Sequence, residues 1–197
     1  MLPGIIIKQI KRFPDERGFF TEIFRNNWKD LLGEDNIAQA NLSITHPNII
    51  RAWHRHARGQ VDYFLTLQGT IKICAYDEKT GELNEIVSTG HDLQIVRIPG
   101  DYWHGFKVLG NEPAWLLYFV NKLYDYKKPD EERRPWNDPA IVPKSINGRK
   151  DDPRGKNDQV RYGKNHGSPR KRRMVKGARS QQRACCSPFH SGSFGKE

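Results

Sequence analysis

Long apolar runs are absent from this chain: no stretch approaches the roughly 18 residues that cross a bilayer as a helix, so no membrane partner is expected. The opening residues, MLPGIIIKQIKRF, also lack the apolar stretch and small-residue cleavage site of a secretory leader, which makes a cytoplasmic location the expectation. Cysteine is scarce. Of the three, Cys74 lies in an apolar segment while Cys185 and Cys186 are adjacent near the end, which gives neither a disulfide framework nor a CxxC metal knuckle. Most of the chain also lacks a surplus of charge. The net +10 is concentrated in residues 144–197, which hold 15 Lys and Arg against 4 Asp and Glu, leaving 18 basic and 19 acidic residues in 1–143. The high pI therefore does not mark the folded part as a nucleic-acid binder.

What is present, from Ile5 to Tyr126, is a series of short β-rich segments separated by Gly, Pro, Asn and Asp, with one helix expected at residues 26–32. That pattern predicts an all-β sandwich or barrel. Residues 63–67 and 70–76 flank Gln68-Gly69 and read as a hairpin, with Ile71, Ile73 and Ala75 facing inward. Lys79-Thr80-Gly81 reads as the next turn and residues 93–98 as a strand ended by Pro99-Gly100. Residues 115–120 read as a strand buried on both faces. After about Pro143 no apolar period survives, so residues 1–143 are expected to form one domain and 144–197 a disordered basic tail. Within that tail Pro169-Arg170-Lys171-Arg172-Arg173 reads first as a solvated charge run, with a nucleic-acid or localisation patch as its alternative. A frameshifted end is a further reading of the tail.

The chemistry-bearing residues are histidines. In Ile50-Arg51-Ala52-Trp53-His54-Arg55-His56 the two-residue period of a strand sends His54 and His56 to the same face. His104, in Pro99-Gly100-Asp101-Tyr102-Trp103-His104-Gly105-Phe106, follows a tight turn at the start of another strand. Imidazole is both the commonest catalytic base and a common metal ligand, so three in one β domain allow acid–base chemistry or metal binding. Taken singly, each is as readily a hydrogen-bonded structural histidine.

Six landmarks in order, Asp15-Glu16-Arg17-Gly18-Phe19-Phe20-Thr21-Glu22, Gln39-Ala40-Asn41, Ile50 to His54, Ile98-Pro99 to His104-Gly105-Phe106, Leu117-Tyr118 and Trp136-Asn137-Asp138-Pro139, resemble those of the dTDP-4-dehydrorhamnose 3,5-epimerases. The resemblance covers about residues 10–140. It implies a cupin jelly roll, commonly a homodimer, that acts without a cofactor on a nucleotide-linked 4-keto-6-deoxy sugar. A neutral imidazole would remove the acidic proton beside the ketone and a phenol on the other sugar face would return one. By the same resemblance His54 is the base and Tyr118 the acid. Arg17, Glu22, Gln39, Asn41, Arg51 and His104 fall on positions that hold the nucleotide, diphosphate or sugar.

Two departures bear on the double epimerisation more than on the fold. Asp62 stands where these enzymes carry a lysine, and no late Ser-x-Lys/Arg-Asp segment, whose carboxylate orients the catalytic histidine, follows Pro143. Asp62 is one residue that could take over the orienting role. Two alternatives follow. His54, His56, Asp62 and His104 imitate the ligand order of a metal-binding cupin, and three imidazoles with one carboxylate suit a divalent transition metal. The other is a catalytically silent sugar-nucleotide binder.

Overall fold

The structure, a computed structural model, describes residues 1–141. The expected tail, residues 144–197, lies outside them. Twelve strands and one short helix follow in the order β1 (Ile6–Gln9), β2 (Arg12–Asp15), β3 (Gly18–Thr21), α1 (Lys29–Leu32), β4 (Gln39–Thr45), β5 (Ile50–Arg55), β6 (Val61–Gln68), β7 (Thr70–Tyr76), β8 (Leu83–Thr89), β9 (Gln94–Pro99), β10 (Trp103–Leu109), β11 (Ala114–Val120) and β12 (Glu132–Arg133). One sheet runs β1-β9-β6-β11-β4 and the facing sheet β12-β5-β10-β7-β8, while among the described residues β2 and β3 pair only with each other. All the pairings are antiparallel. This is the expected all-β cupin jelly roll. Among the described residues no helix is long and apolar enough to cross a membrane.

Strand alternation explains why the two sheets close on each other. Ile71, Ile73 and Ala75 of β7 and Phe106 and Val108 of β10 meet Phe64, Val96, Ile98, Ala114 and Leu116 of the opposite sheet in one apolar layer. Each of these strands sends alternate residues inward, so the hydrophobic effect fixes which face each presents. A second apolar cluster covers the outer face of the first sheet, where α1 supplies Leu31 and Leu32 against Tyr63, Leu65, Ile95 and Phe119. A third packs Trp53, Trp103 and Ile141 on the outer face of the second sheet. The landmark at Trp136 serves that last cluster, since the Trp53 indole N–H donates to its carbonyl at 3.2 Å.

Three expectations need correction. Gln68-Gly69 does not turn a hairpin. β6 pairs with β9 and β11, whereas β7 pairs with β8 and β10, so the chain crosses from one sheet to the other at Gly69. The edges of β6 are taken by β9 and β11 and those of β7 by β8 and β10, so neither strand has an edge left to pair with the other. Gly69 has φ +73°, and a Cβ there would lie 2.6 Å from the Pro113 carbonyl oxygen, so the crossing needs glycine. The helix is also shorter than expected: only Lys29–Leu32 is helical, with no side-chain cap at Trp28. β11 is covered on its outer face around Leu117 and Phe119, but Trp115 is 38% exposed because that cover stops short of it. The turn at Lys79-Thr80-Gly81 does join a hairpin, β7 with β8.

Candidate active site

The candidate site forms between the sheets, at the end where β5, β6 and β10 present polar residues inward. In β10 the inward positions are His104, Phe106 and Val108, and in β6 they include Asp62 and Phe64. His104 pairs in register with His54, and Phe106 with Arg51, so β5 carries an extra residue between the two pairs. That bulge matters. Three residues apart, Arg51 and His54 would face opposite sides of a regular strand; the inserted residue turns both inward. Gly105 permits the close approach, since a Cβ there would lie 2.4 Å from the Ala52 Cβ.

Three imidazoles converge as a result. The ring of His54 lies 4.2 Å from that of His104 and 5.8 Å from that of His56, centre to centre. His104 is fully buried. Its Nδ1–H donates to the Tyr102 carbonyl at 2.8 Å and its Nε2 lies 2.8 Å from Asp62 Oδ2. His104 is thus clamped between the Tyr102 carbonyl and the Asp62 carboxylate. His56 Nδ1 donates to the Asp130 carbonyl, and its Nε2 lies 3.4 Å from the same Asp62 oxygen. The Gln60 amide donates to Asp62 Oδ1 at 2.8 Å and approaches His56 Nε2 at 3.2 Å. Asp62 therefore holds His104 and His56, and among the described residues it makes no hydrogen bond to His54. The orienting role considered for it from the sequence goes to the neighbouring histidines.

Electrostatics follow from this packing. Burial alone would raise the Asp62 pKa, but hydrogen bonds from His104 and His56 outweigh it and hold the carboxyl far below the ordinary range. Burial would also lower His56, yet the Asp62 carboxylate outweighs it and raises that imidazole. His54 moves the other way. Burial, followed by the positive field of His104, pushes it well below the ordinary value, so it stays neutral and base-competent at neutral pH.

The sign of the pH dependence follows. A histidine whose folded pKa is depressed is uncharged above that value, so a reaction using neutral His54 should keep its rate as pH falls from about 8 through 6.5 and lose it only lower. A kcat/KM profile with its acidic midpoint at or above about pH 6.5 would contradict this placement of His54. The melting temperature is the poorer readout. His54 destabilises the fold as pH falls below about 6.5, whereas the contribution of His56, raised on folding, is present below that pH and lost as pH rises through its folded value.

The facing sheet supplies the rest. Tyr118 of β11 lies opposite Asn41 of β4 and beside Phe64 of β6, whose ring is 5.9 Å from Tyr118 and 6.3 Å from His104. Along β4 the inward row is polar, Gln39, Asn41, Ser43 and Thr45, while Leu42 and Ile44 face out and are exposed. Gln39 donates to Asn41 Oδ1 at 2.7 Å, and Arg51 Nε crosses between the sheets to Thr45 Oγ1 at 2.9 Å. Sequence reasoning passed over Ser43, Thr45 and Gln60. The alternation in residues 39–45 is visible in the sequence, but it reads equally well with its apolar side inward. Arg17 and Glu22 are not brought to the histidines. Arg17 sits at the tip of the β2–β3 hairpin paired with Asp15 at 2.6 Å, and Glu22 pairs with Arg25 at 2.7 Å, both exposed.

The arrangement offers a neutral base on one inner face, a phenol on the other and a polar strand between them and solvent. It is similar to known proteins. A family model described as dTDP-4-dehydrorhamnose 3,5-epimerase matches residues 1–153. A probable low-salt glycan biosynthesis epimerase, Agl13 of Haloferax volcanii, is 41% identical over 66% of this chain and 86% of its own length. The spore coat polysaccharide biosynthesis protein SpsL of Bacillus subtilis is 33% identical over 72% of this chain and 94% of its own. Among solved structures, the Legionella pneumophila dTDP-6-deoxy-D-glucose-3,5-epimerase in complex with dTDP-4-keto-L-rhamnose superposes with a TM-score of 0.63, at 26% identity, over 72% of this chain and 78% of that one.

Proposed function

The chain belongs to the dTDP-4-dehydrorhamnose 3,5-epimerase family, a family of isomerases, and from that premise we propose that it epimerises a nucleotide-linked 4-keto-6-deoxy sugar for glycan or polysaccharide assembly. His54 removes the proton from the carbon beside the ketone and Tyr118 delivers one to the opposite face. The observation that carries this reading is the placement of a half-buried, neutral imidazole and a half-buried phenol on the inner faces of opposing sheets. A ketose-like ring lying between them would meet a base on one side and an acid on the other. The Asn41 amide oxygen is engaged by Gln39, which leaves its N–H groups for a sugar oxygen. The scheme uses the protein's own acid and base and needs no cofactor.

The experiment is incubation with a dTDP-4-keto-6-deoxy sugar in D2O, following deuterium at the carbons beside the ketone by NMR. Tyr118→Phe is the informative variant. The enolate would still form, so deuterium should enter while inversion falls by about 10²-fold or more, the proton returning to the face it left. Loss of exchange and inversion together in Tyr118→Phe would reject the two-sided scheme, and no exchange in the unaltered protein would favour a catalytically silent sugar-nucleotide binder.

Arg51 is the inward arginine and the candidate for the diphosphate. A guanidinium grips two oxygens with a fixed fork, whereas an ammonium presents a point charge. Arg51→Lys should therefore weaken dTDP binding by about tenfold, one lost charge-assisted hydrogen bond, with the charge retained. Unchanged affinity by calorimetry would remove Arg51 from the nucleotide site. Arg17 and Glu22 keep their expected substrate role only in an assembly that brings the β2–β3 hairpin to a site. A homodimer is part of the proposal, and the exposed Phe13, Phe19 and Phe20 of the hairpin with Leu42 and Ile44 of β4 are the apolar surface it would bury.

A further inference from the structure

The inner ends of His56, Asp62 and His104 present an arrangement that the acid–base scheme leaves unused. Each histidine spends its Nδ1–H on a backbone carbonyl, that of Asp130 for His56 and that of Tyr102 for His104, and so turns Nε2 into the space between the sheets. Both Nε2 atoms close on one carboxylate oxygen, Asp62 Oδ2, at 3.4 and 2.8 Å. Three acceptor atoms so close together need positive charge between them. Hydrogens on the imidazoles can supply it, and so can one cation. An outer N–H fixed on a carbonyl with the other nitrogen aimed inward is how protein structures orient metal-binding histidines. His54 adds a fourth donor, and one ligand atom from each of the four residues lies within 4.8 Å of the others. All four residues sit on or next to strands of the two sheets, and the side chains of His56, Asp62 and His104 are 8%, 3% and 0% exposed, so the donors are held before any ion arrives.

We propose that His56, Asp62 and His104, with His54 as fourth donor, bind one divalent transition-metal ion. Three imidazoles and one carboxylate suit zinc, iron, manganese, cobalt or nickel and give little hold on magnesium or calcium, which want oxygen. The inference stands on these four side chains and is independent of the sugar chemistry. With His54 among the ligands, the metal-loaded protein has no free base, so metal binding and proton abstraction are alternative states of one site.

The test uses the full chain, stripped with a chelator and titrated with Zn2+ and with Co2+, with bound metal measured by elemental analysis and affinity by calorimetry. One ion per chain is expected. His56→Ala and Asp62→Asn, which keeps the side-chain shape, should each weaken binding by more than about 100-fold, beyond what a lost supporting partner costs. Circular dichroism shows whether each variant is folded, and His56→Ala alone suffices if Asp62→Asn is not. Cys185 and Cys186 are the rival ligands in the chain, and replacing both by Ser should leave the ion in place. Absence of stoichiometric metal in the unaltered protein, or an ion that survives His56→Ala and departs with the two cysteines, overturns the proposal. Deuterium exchange measured on the stripped protein reports on the epimerase reading separately, so either idea can fail while the other holds.

Discussion

Replacing His54 by Ala should abolish deuterium incorporation from solvent into a dTDP-4-keto-6-deoxy sugar while leaving the protein folded and able to bind dTDP. His54 is the imidazole of the cluster with no hydrogen-bond partner among the described residues, and its lowered pKa keeps it neutral, so its nitrogen lone pair is available. The other two rings are committed: His104 is clamped between Asp62 and Tyr102, and His56 between Asp130 and Asp62. Neither can move to a substrate carbon without breaking buried hydrogen bonds. Removal of a general base costs about 10²–10⁴-fold, and the upper part of that range is expected where no second base stands in reach. Because Ala leaves the Asp62 network untouched, the melting temperature should change little. The measurement is the initial rate of exchange by NMR at saturating sugar. A loss of less than about tenfold would mean that another group takes the proton.

The second large effect is on stability. Asp62→Ala removes the carboxylate that His104 and His56 share and strands a fully buried imidazole. Breaking a buried pair from one side typically costs about 3–5 kcal/mol, since one partner is left charged or unpaired in a low-dielectric interior. For a chain of this size that corresponds to a fall in Tm of about 10 °C or more. Replacing the pair together, as Asp62→Leu with His104→Phe, should recover much of the loss, because the destabilisation comes from the orphaned partner and not from any large net worth of the pair. The pH dependence has a definite sign. A carboxyl depressed on folding contributes stability that is present above the ordinary Asp pKa of about 4 and is lost as pH falls below it. Asp62→Ala should therefore flatten the acid limb of the unfolding midpoint against pH. An unfolding free energy within about 0.5 kcal/mol of the unaltered protein at neutral pH would show that the pair carries no such load.

What the sequence determined by itself is the part governed by local chemistry. Period-two alternation in residues 70–76 put Ile71, Ile73 and Ala75 in the core, and Gly, Pro, Asn and Asp marked where strands end. His54 and His56, two residues apart, were bound to share a face, and the ordered landmarks from Asp15 to Pro139 carried the family resemblance. What it left undetermined depends on which strand lies against which. Gln68-Gly69 has the composition of a hairpin turn, yet Gly69 carries the chain between sheets, because β6 pairs with β9 and β11, far away in sequence, while β7 pairs with β8 and β10 of the other sheet. The alternation in β4 does not say which side faces in, and only the neighbouring β11 shows that Asn41 lies beside Tyr118 and that Leu42 faces solvent. Arg51 and His54, at odd spacing, belong to opposite faces of a regular strand. A one-residue bulge against β10 unites them, and nothing in Ile50-Arg51-Ala52-Trp53-His54 signals it. Asp62 shows the same limit at the level of chemistry: its distance along the chain from His104 is 42 residues, and only the facing of two sheets makes it that histidine's partner. Local propensity is a property of neighbouring residues, whereas register, facing and charge pairing are properties of the packed whole.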